Sequence, residues 1–142
     1  MPKDAYLESR VLTADPVELI HILYEHVRMQ VTIARSALAA GDIAGRSKAI
    51  SKALAGLGEL EGSLNFKDGG AIARNFRRLY QYMRQRLVDA NLKQEDAPLA
   101  EVESLIGKLD DGWVAMQRAI SAPAVLPYAQ ASADMAANSW SA

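Results

Sequence analysis

Apolar positions recur every three or four residues along most of this 142-residue chain, the spacing of one buried face on an α-helix. Asp15 is a natural N-cap, Pro16 suits the first helical position, and Glu18 completes a capping box. The helical period then continues to about Ala40. Ala40-Gly41-Asp42 breaks it, and Asp42 can cap a second helix that runs to about Leu64. Lys67-Asp68-Gly69-Gly70 is the next break. A third helix covers about 70–91, and Glu95-Asp96-Ala97-Pro98 leads into a fourth, about 97–120. No segment alternates in the manner of a strand. The expected fold is all-α: an antiparallel four-helix bundle over 15–120, with short connections that make sequence neighbours neighbours in space. Residues 1–14 are read as a short N-terminal segment packed on the bundle. Residues 121–142, rich in Ala and Ser with Pro123 and Pro127, are read as a flexible, low-complexity tail.

The expected core stripes are Ile20, Leu23, Val27, Val31, Ala34 and Leu38 on the first helix, and Ile43, Ile50, Leu54, Leu57 and Leu64 on the second. The third offers Ile72, Phe76, Leu79, Met83 and Leu87. The fourth offers Leu99, Val102, Ile106, Leu109, Trp113, Met116 and Ile120. The first helix has more apolar residues than one face needs. With Ile20 at 0°, Ile22, His26, Met29 and Ile33 fall between roughly 180° and 240°, with Leu19 near roughly 260°. A helix in a simple bundle should be polar there. The second helix lines one side with Gly45, Ala49, Gly56 and Ser63, although a mid-helix glycine costs up to about 1 kcal/mol relative to alanine. Such a stripe permits close approach of another backbone, either inside the bundle or as the floor of a groove. On the third helix, Tyr82 sits at the edge of the core stripe with polar neighbours, a common interface composition. Leu19, Ile22, Met29, Ile33, Gly45, Ala49, Gly56 and Tyr82 are therefore the candidate contacts for another polypeptide, in the helix-in-groove manner.

Composition narrows the alternatives. The net charge is −1, so no bulk electrostatic attraction to nucleic acid or anionic membrane is expected. No stretch approaches the roughly 18 apolar residues of a membrane span. The charged N-terminus does not read as a signal peptide. The absence of cysteine removes disulfides, thiolate metal sites and cysteine nucleophiles. His21 and His26 are the two histidines. Glu18-x-x-His21 has the spacing of a di-iron half-site, but no second pair exists, so no metal and no cofactor is expected. A histidine-phosphotransfer role for His21 is the alternative reading, on fold analogy alone. Gly69-Gly70 could cradle an anion, but a turn that needs positive φ explains it more simply. Arg74, Arg77, Arg78, Arg84 and Arg86 on the third helix sit beside aromatic residues, as in some RNA-binding helices. They are read instead as a solvated face that acids around the fourth helix can complement.

The ordered run Tyr6-Leu7-Glu8, Val11-Leu12-Thr13-Ala14-Asp15-Pro16-Val17-Glu18-Leu19-Ile20 and Leu23-Tyr24-Glu25 resembles the opening of the flagellar secretion chaperones of the FliS family. Ser63-Leu64-Asn65, Gly69-Gly70-Ala71-Ile72-Ala73, Leu79-Tyr80-Gln81-Tyr82-Met83, Leu87, Ala90-Asn91 and Trp113 continue it in order. Glu25-His26 stands where an Asp-Gly type pair is usual, and Asn65 where Asp is usual. The resemblance implies a non-enzymatic cytoplasmic export chaperone. Its partners would be the disordered C-terminal region of flagellin and the flagellar export gate; it would prevent premature polymerisation and deliver the subunit to the type III export apparatus. It further implies that Tyr6, Leu7, Val11 and Leu12 form an N-terminal cap over part of the client surface.

Overall fold

The computed structural model describes Leu7 and residues 15–120. Four α-helices follow one another: α1 (Pro16–Ala40), α2 (Ile43–Gly62), α3 (Phe66–Lys93) and α4 (Asp96–Ile120), and no strand occurs among the described residues. The all-α expectation holds. Leu7 is helical and half-buried; Tyr6, Val11 and Leu12 of the expected cap and the tail 121–142 lie outside the described residues. The chain forms two compact units, 1–110 and 111–142. The first contains α1, α2, α3 and the start of α4. Of the second, the described residues are the C-terminal part of α4, in which Met116 is exposed.

The helix ends follow from local chemistry. Asp15 accepts the Glu18 N–H at 2.7 Å with Pro16 in the first turn, and Asp42 accepts the Gly45 N–H at 2.9 Å. Each bond satisfies an N–H that the helix itself cannot. Gly41 closes α1 with φ +72°, a left-handed position that glycine adopts without a Cβ clash. The third helix begins earlier than the Gly-Gly break suggested. Asn65 caps a first turn from Phe66, accepting the Asp68 N–H at 3.1 Å, and Gly70 (φ +50°, ψ −122°) then kinks the chain before the long run to Lys93. The positive φ expected in this turn is at Gly70.

Side-chain contacts fix the arrangement within the first unit. Gly56 of α2 lies against Val27 and His26 of α1. Asn91 of α3 accepts from Arg46 at 3.0 Å and Ser47 at 3.2 Å of α2, while Arg84 reaches Glu61 at 3.1 Å. Arg86 and Tyr82 of α3 both reach Glu101 of α4. Arg35 and Thr32 of α1 reach Asp96 and Glu103 of α4, and His21 reaches Asp110. In each helix pair the later residues of one meet the earlier residues of the next, so neighbours run antiparallel. The diagonal is closed by a 2.7 Å hydrogen bond between the buried hydroxyls of Tyr24 and Tyr80. Around it the core collects Val27, Val31, Ala53, Leu57, Leu60, Met83, Leu87, Leu99, Val102 and Ile106, all fully buried. Burial and that bond raise the Tyr80 phenol well above its usual value.

The core stripes need correction at their ends. Ile43 and Ile72 are exposed, at 60 % and 68 %. Ile43 is the first residue of α2 and Ile72 follows the Gly70 kink by two residues. Helical period continues through such terminal turns, but burial requires a neighbour beside them.

Candidate functional site

The eight candidate contacts divide. Met29 (49 % exposed), Ile33 (37 %) and Tyr82 (46 %) stand at the surface, and Leu19 and Gly45 are half-buried. Ile22 is core at 1 % exposure, Ala49 is at 2 %, and Gly56 is buried. The reading of Ile22, His26, Met29 and Ile33 as one open stripe is therefore corrected. The cause lies on α2. A Cβ on Gly56 would stand 2.7 Å from Val27 Cγ2 and 3.3 Å from His26 Cδ2, closer than packed atoms tolerate. Glycine lets the α2 backbone approach that flank of α1, and Ile22 lies one turn before His26 on the same flank. Ala49 and Gly56 thus serve packing inside the bundle and not the floor of an open groove. Gly56 also accommodates the bulk of His26.

The same register explains why Met29 and Ile33 remain open. Toward its N-terminus, the Gly56 flank of α2 carries Lys52, Ala49 and Gly45. None has a bulky apolar side chain with which to cover a methionine and an isoleucine one helical turn apart.

Tyr82 belongs to a different seam, between α3 and α4. Its hydroxyl donates to Glu101 Oε1 at 2.8 Å, and Arg86 Nε donates to the same oxygen at 2.7 Å. The bond to Glu101 raises the Tyr82 phenol above its ordinary value, and Arg86 followed by Tyr82 lowers the Glu101 carboxyl. The ring is therefore presented to solvent with its polar end already fixed. Sequence reasoning missed a third apolar surface, made by Ile43, Val88 (37 % exposed) and Leu92 (76 %). The bonds from Arg46 and Ser47 to Asn91 bring the start of α2 to the end of α3, and so bring these residues to one end of the bundle. The i, i+4 pair Val88 and Leu92 on an otherwise polar face was the available signal.

The arginines are paired less evenly than expected. Arg86 uses Glu101 of α4, but Arg84 uses Glu61 of α2. No carboxylate among the described residues pairs with Arg74, Arg77 or Arg78, so acids of α4 do not complement them. His21 is held at both ring nitrogens: Nδ1 lies 2.6 Å from Asp110 Oδ1 and Nε2 lies 3.0 Å from Glu25 Oε1. A phosphoacceptor imidazole needs an open nitrogen, and this geometry leaves neither open. Among the described residues no group of three or more His, Cys, Asp or Glu side chains could hold a metal ion. No described helix is long and apolar enough to cross a membrane.

Comparison with known proteins decides the family. The family model described as "Flagellar protein FliS" matches residues 2–120. The chain belongs to the FliS family. The flagellar secretion chaperone FliS of Salmonella typhimurium is 35 % identical over 108 residues, covering 75 % of this chain and 80 % of that protein. The FliSB chaperone of Pseudomonas aeruginosa is 35 % identical over 107 residues, covering 75 % and 85 %. The FliS of Bacillus subtilis is 32 % identical over 112 residues, covering 79 % and 83 %. The FliS match thus takes in all four helices and stops where α4 stops. These relatives are named as chaperones and not as enzymes, and an export-chaperone role goes with the family.

Proposed function

We propose that this protein is a cytoplasmic export chaperone for flagellin. It binds the disordered C-terminal segment of the subunit, prevents premature polymerisation and delivers it to the flagellar type III export apparatus. The FliS match over nearly the whole chain supports this reading. The observation that carries it to a surface is the uncovered pair Met29 and Ile33 on a helix whose remaining apolar residues are largely enclosed.

The magnitudes say how the client must bind. Burying Met29 and Ile33 yields about 1.5–3 kcal/mol each, and ordering a disordered segment costs about 2–5 kcal/mol. Micromolar affinity requires about 8 kcal/mol. The α1 pair therefore falls short alone, with Ile22, Ala49 and Gly56 withdrawn into the bundle. A client that follows the surface and also reaches both Tyr82 and the Ile43–Val88–Leu92 end has enough apolar contact to meet the requirement. An extended segment with short amphipathic helices has that reach.

The test mixes the protein with purified flagellin. Size-exclusion chromatography reads complex formation, and light scattering reads filament growth. A stoichiometric complex and suppressed polymerisation are expected. No complex at concentrations well above micromolar, with unaltered filament growth, contradicts the proposal.

A further inference from the structure

The start of α3 holds a concentration of charge that the fold does not use. Between Phe66 and Tyr80 the chain carries Lys67, Arg74, Arg77 and Arg78 against Asp68 alone, in a protein of net charge −1. Asp68 is committed locally, its Oδ2 accepting from Asn65 Nδ2 at 3.0 Å. Arg74, Arg77 and Arg78 are all exposed. At i, i+3 and i+4 they share one side of the helix, where like charges repel. Three other arginines of the described residues meet carboxylates, and the buried Arg46 bonds Asn91. Arg35 grips Asp96 through two bonds of 2.8 and 2.9 Å, Arg84 meets Glu61 at 3.1 Å, and Arg86 meets Glu101 at 2.7 Å. The kink at Gly70 adds an aromatic element. Phe66 belongs to the first turn of α3, before the kink, and the Arg77 guanidinium beyond it lies 5.0 Å from the centre of the Phe66 ring while Phe66 stays 40 % exposed. This contact holds Arg77 in place without neutralising it.

We propose that this face is a docking site for an acidic helical segment of a partner protein, separate from the apolar client surface. Carboxylates accept two parallel bonds from arginine, and glutamates four residues apart on a helix match the spacing of Arg74 and Arg78, about 6 Å along the axis. A nucleic acid would find few phosphate contacts on so short a face, and overall charge does not assist it. The site does not depend on flagellin being the client, so its test can fail without affecting that reading.

The experiment titrates a fluorescent glutamate-rich helical peptide into the full chain and follows anisotropy, with a labelled oligouridine as comparison. Saturable, salt-sensitive peptide binding is expected, weakened at least about tenfold in R74Q/R77Q/R78Q, consistent with the loss of several charge-assisted bonds. The variant R84Q/R86Q, which removes already paired arginines, should bind as the parent does. R74Q/R78Q should melt at the same temperature or higher, because the lost contact is repulsive. Absent peptide binding, equal binding by the triple variant, a preference for oligouridine, or a lower melting temperature of R74Q/R78Q would each overturn the proposal.

Discussion

Ile22 and Met29 occupy the same side of α1, yet one is 1 % exposed and the other 49 %. Neither residue's own chemistry explains the difference. It comes from α2, whose Gly56 permits contact at His26 and Val27 and whose preceding turns bring lysine, alanine and glycine to the flank that continues toward Met29. One apolar stripe therefore does two jobs. Its first half closes the bundle and its second half remains available to a partner.

The sharpest way to break this comparison is truncation at both positions. Ile22→Ala should cost about 2–5 kcal/mol in denaturant unfolding, as buried large-to-small changes do. Met29→Ala should stay within about 0.5 kcal/mol, as surface changes do. Equal costs would mean the stripe is not divided. Next in size is Gly56→Ala. The new methyl would collide with Val27, for about 1–3 kcal/mol of overpacking set against a helix-propensity gain of about 1 kcal/mol. Gly58→Ala, whose added methyl meets nothing within 4 Å, should show only the gain. Matching thermal melts for the two would remove close approach as the reason Ile22 is sealed.

On the closed diagonal, Tyr80→Phe strands the Tyr24 hydroxyl and should cost about 1 kcal/mol or slightly more; Tyr24→Phe together with Tyr80→Phe should recover much of it. A double-mutant cycle by chemical denaturation reads that coupling. The smallest effect concerns pH. Arg35 lowers the Asp96 carboxyl, and Arg86 with Tyr82 lowers that of Glu101. A carboxyl whose folded value is depressed adds stability above its unfolded value, and this is lost as pH falls through the folded one. These ties of α4 to α1 and α3 should thus weaken below the usual carboxylate range. Both groups are solvent-screened, so Asp96→Asn with Glu101→Gln should flatten the acid limb of the stability curve only slightly.

Much of the fold was legible because it is written in local chemistry. Asp15, Pro16 and Asp42 announce helix starts, and the three-four periodicity of Leu23, Val27, Val31 and Ala34 announces a core face. The family was legible in the ordered run from Tyr6 through Trp113. The half-legible feature was Gly56: a costly helical glycine signalled a close approach, but not which helix would make it. What stayed hidden depends on register between helices. Ile22 could not be told from Met29 without α2 in place. Ile43 and Ile72 have core periodicity, but no neighbour covers them. The pairing of Arg84 with Glu61, twenty-three residues away in sequence, left Arg74, Arg77 and Arg78 without acids in a way that composition does not reveal.

The central claim is that the open half of the α1 stripe carries a flagellin client, and calorimetry tests it directly. A flagellin C-terminal peptide is titrated into the unmodified protein and into M29E/I33E, with the far-ultraviolet helical signal and melting temperature of both recorded. The account predicts micromolar or tighter binding to the first and at least about tenfold weaker binding to the second, with helical content unchanged. Equal affinity for two equally folded proteins would contradict it.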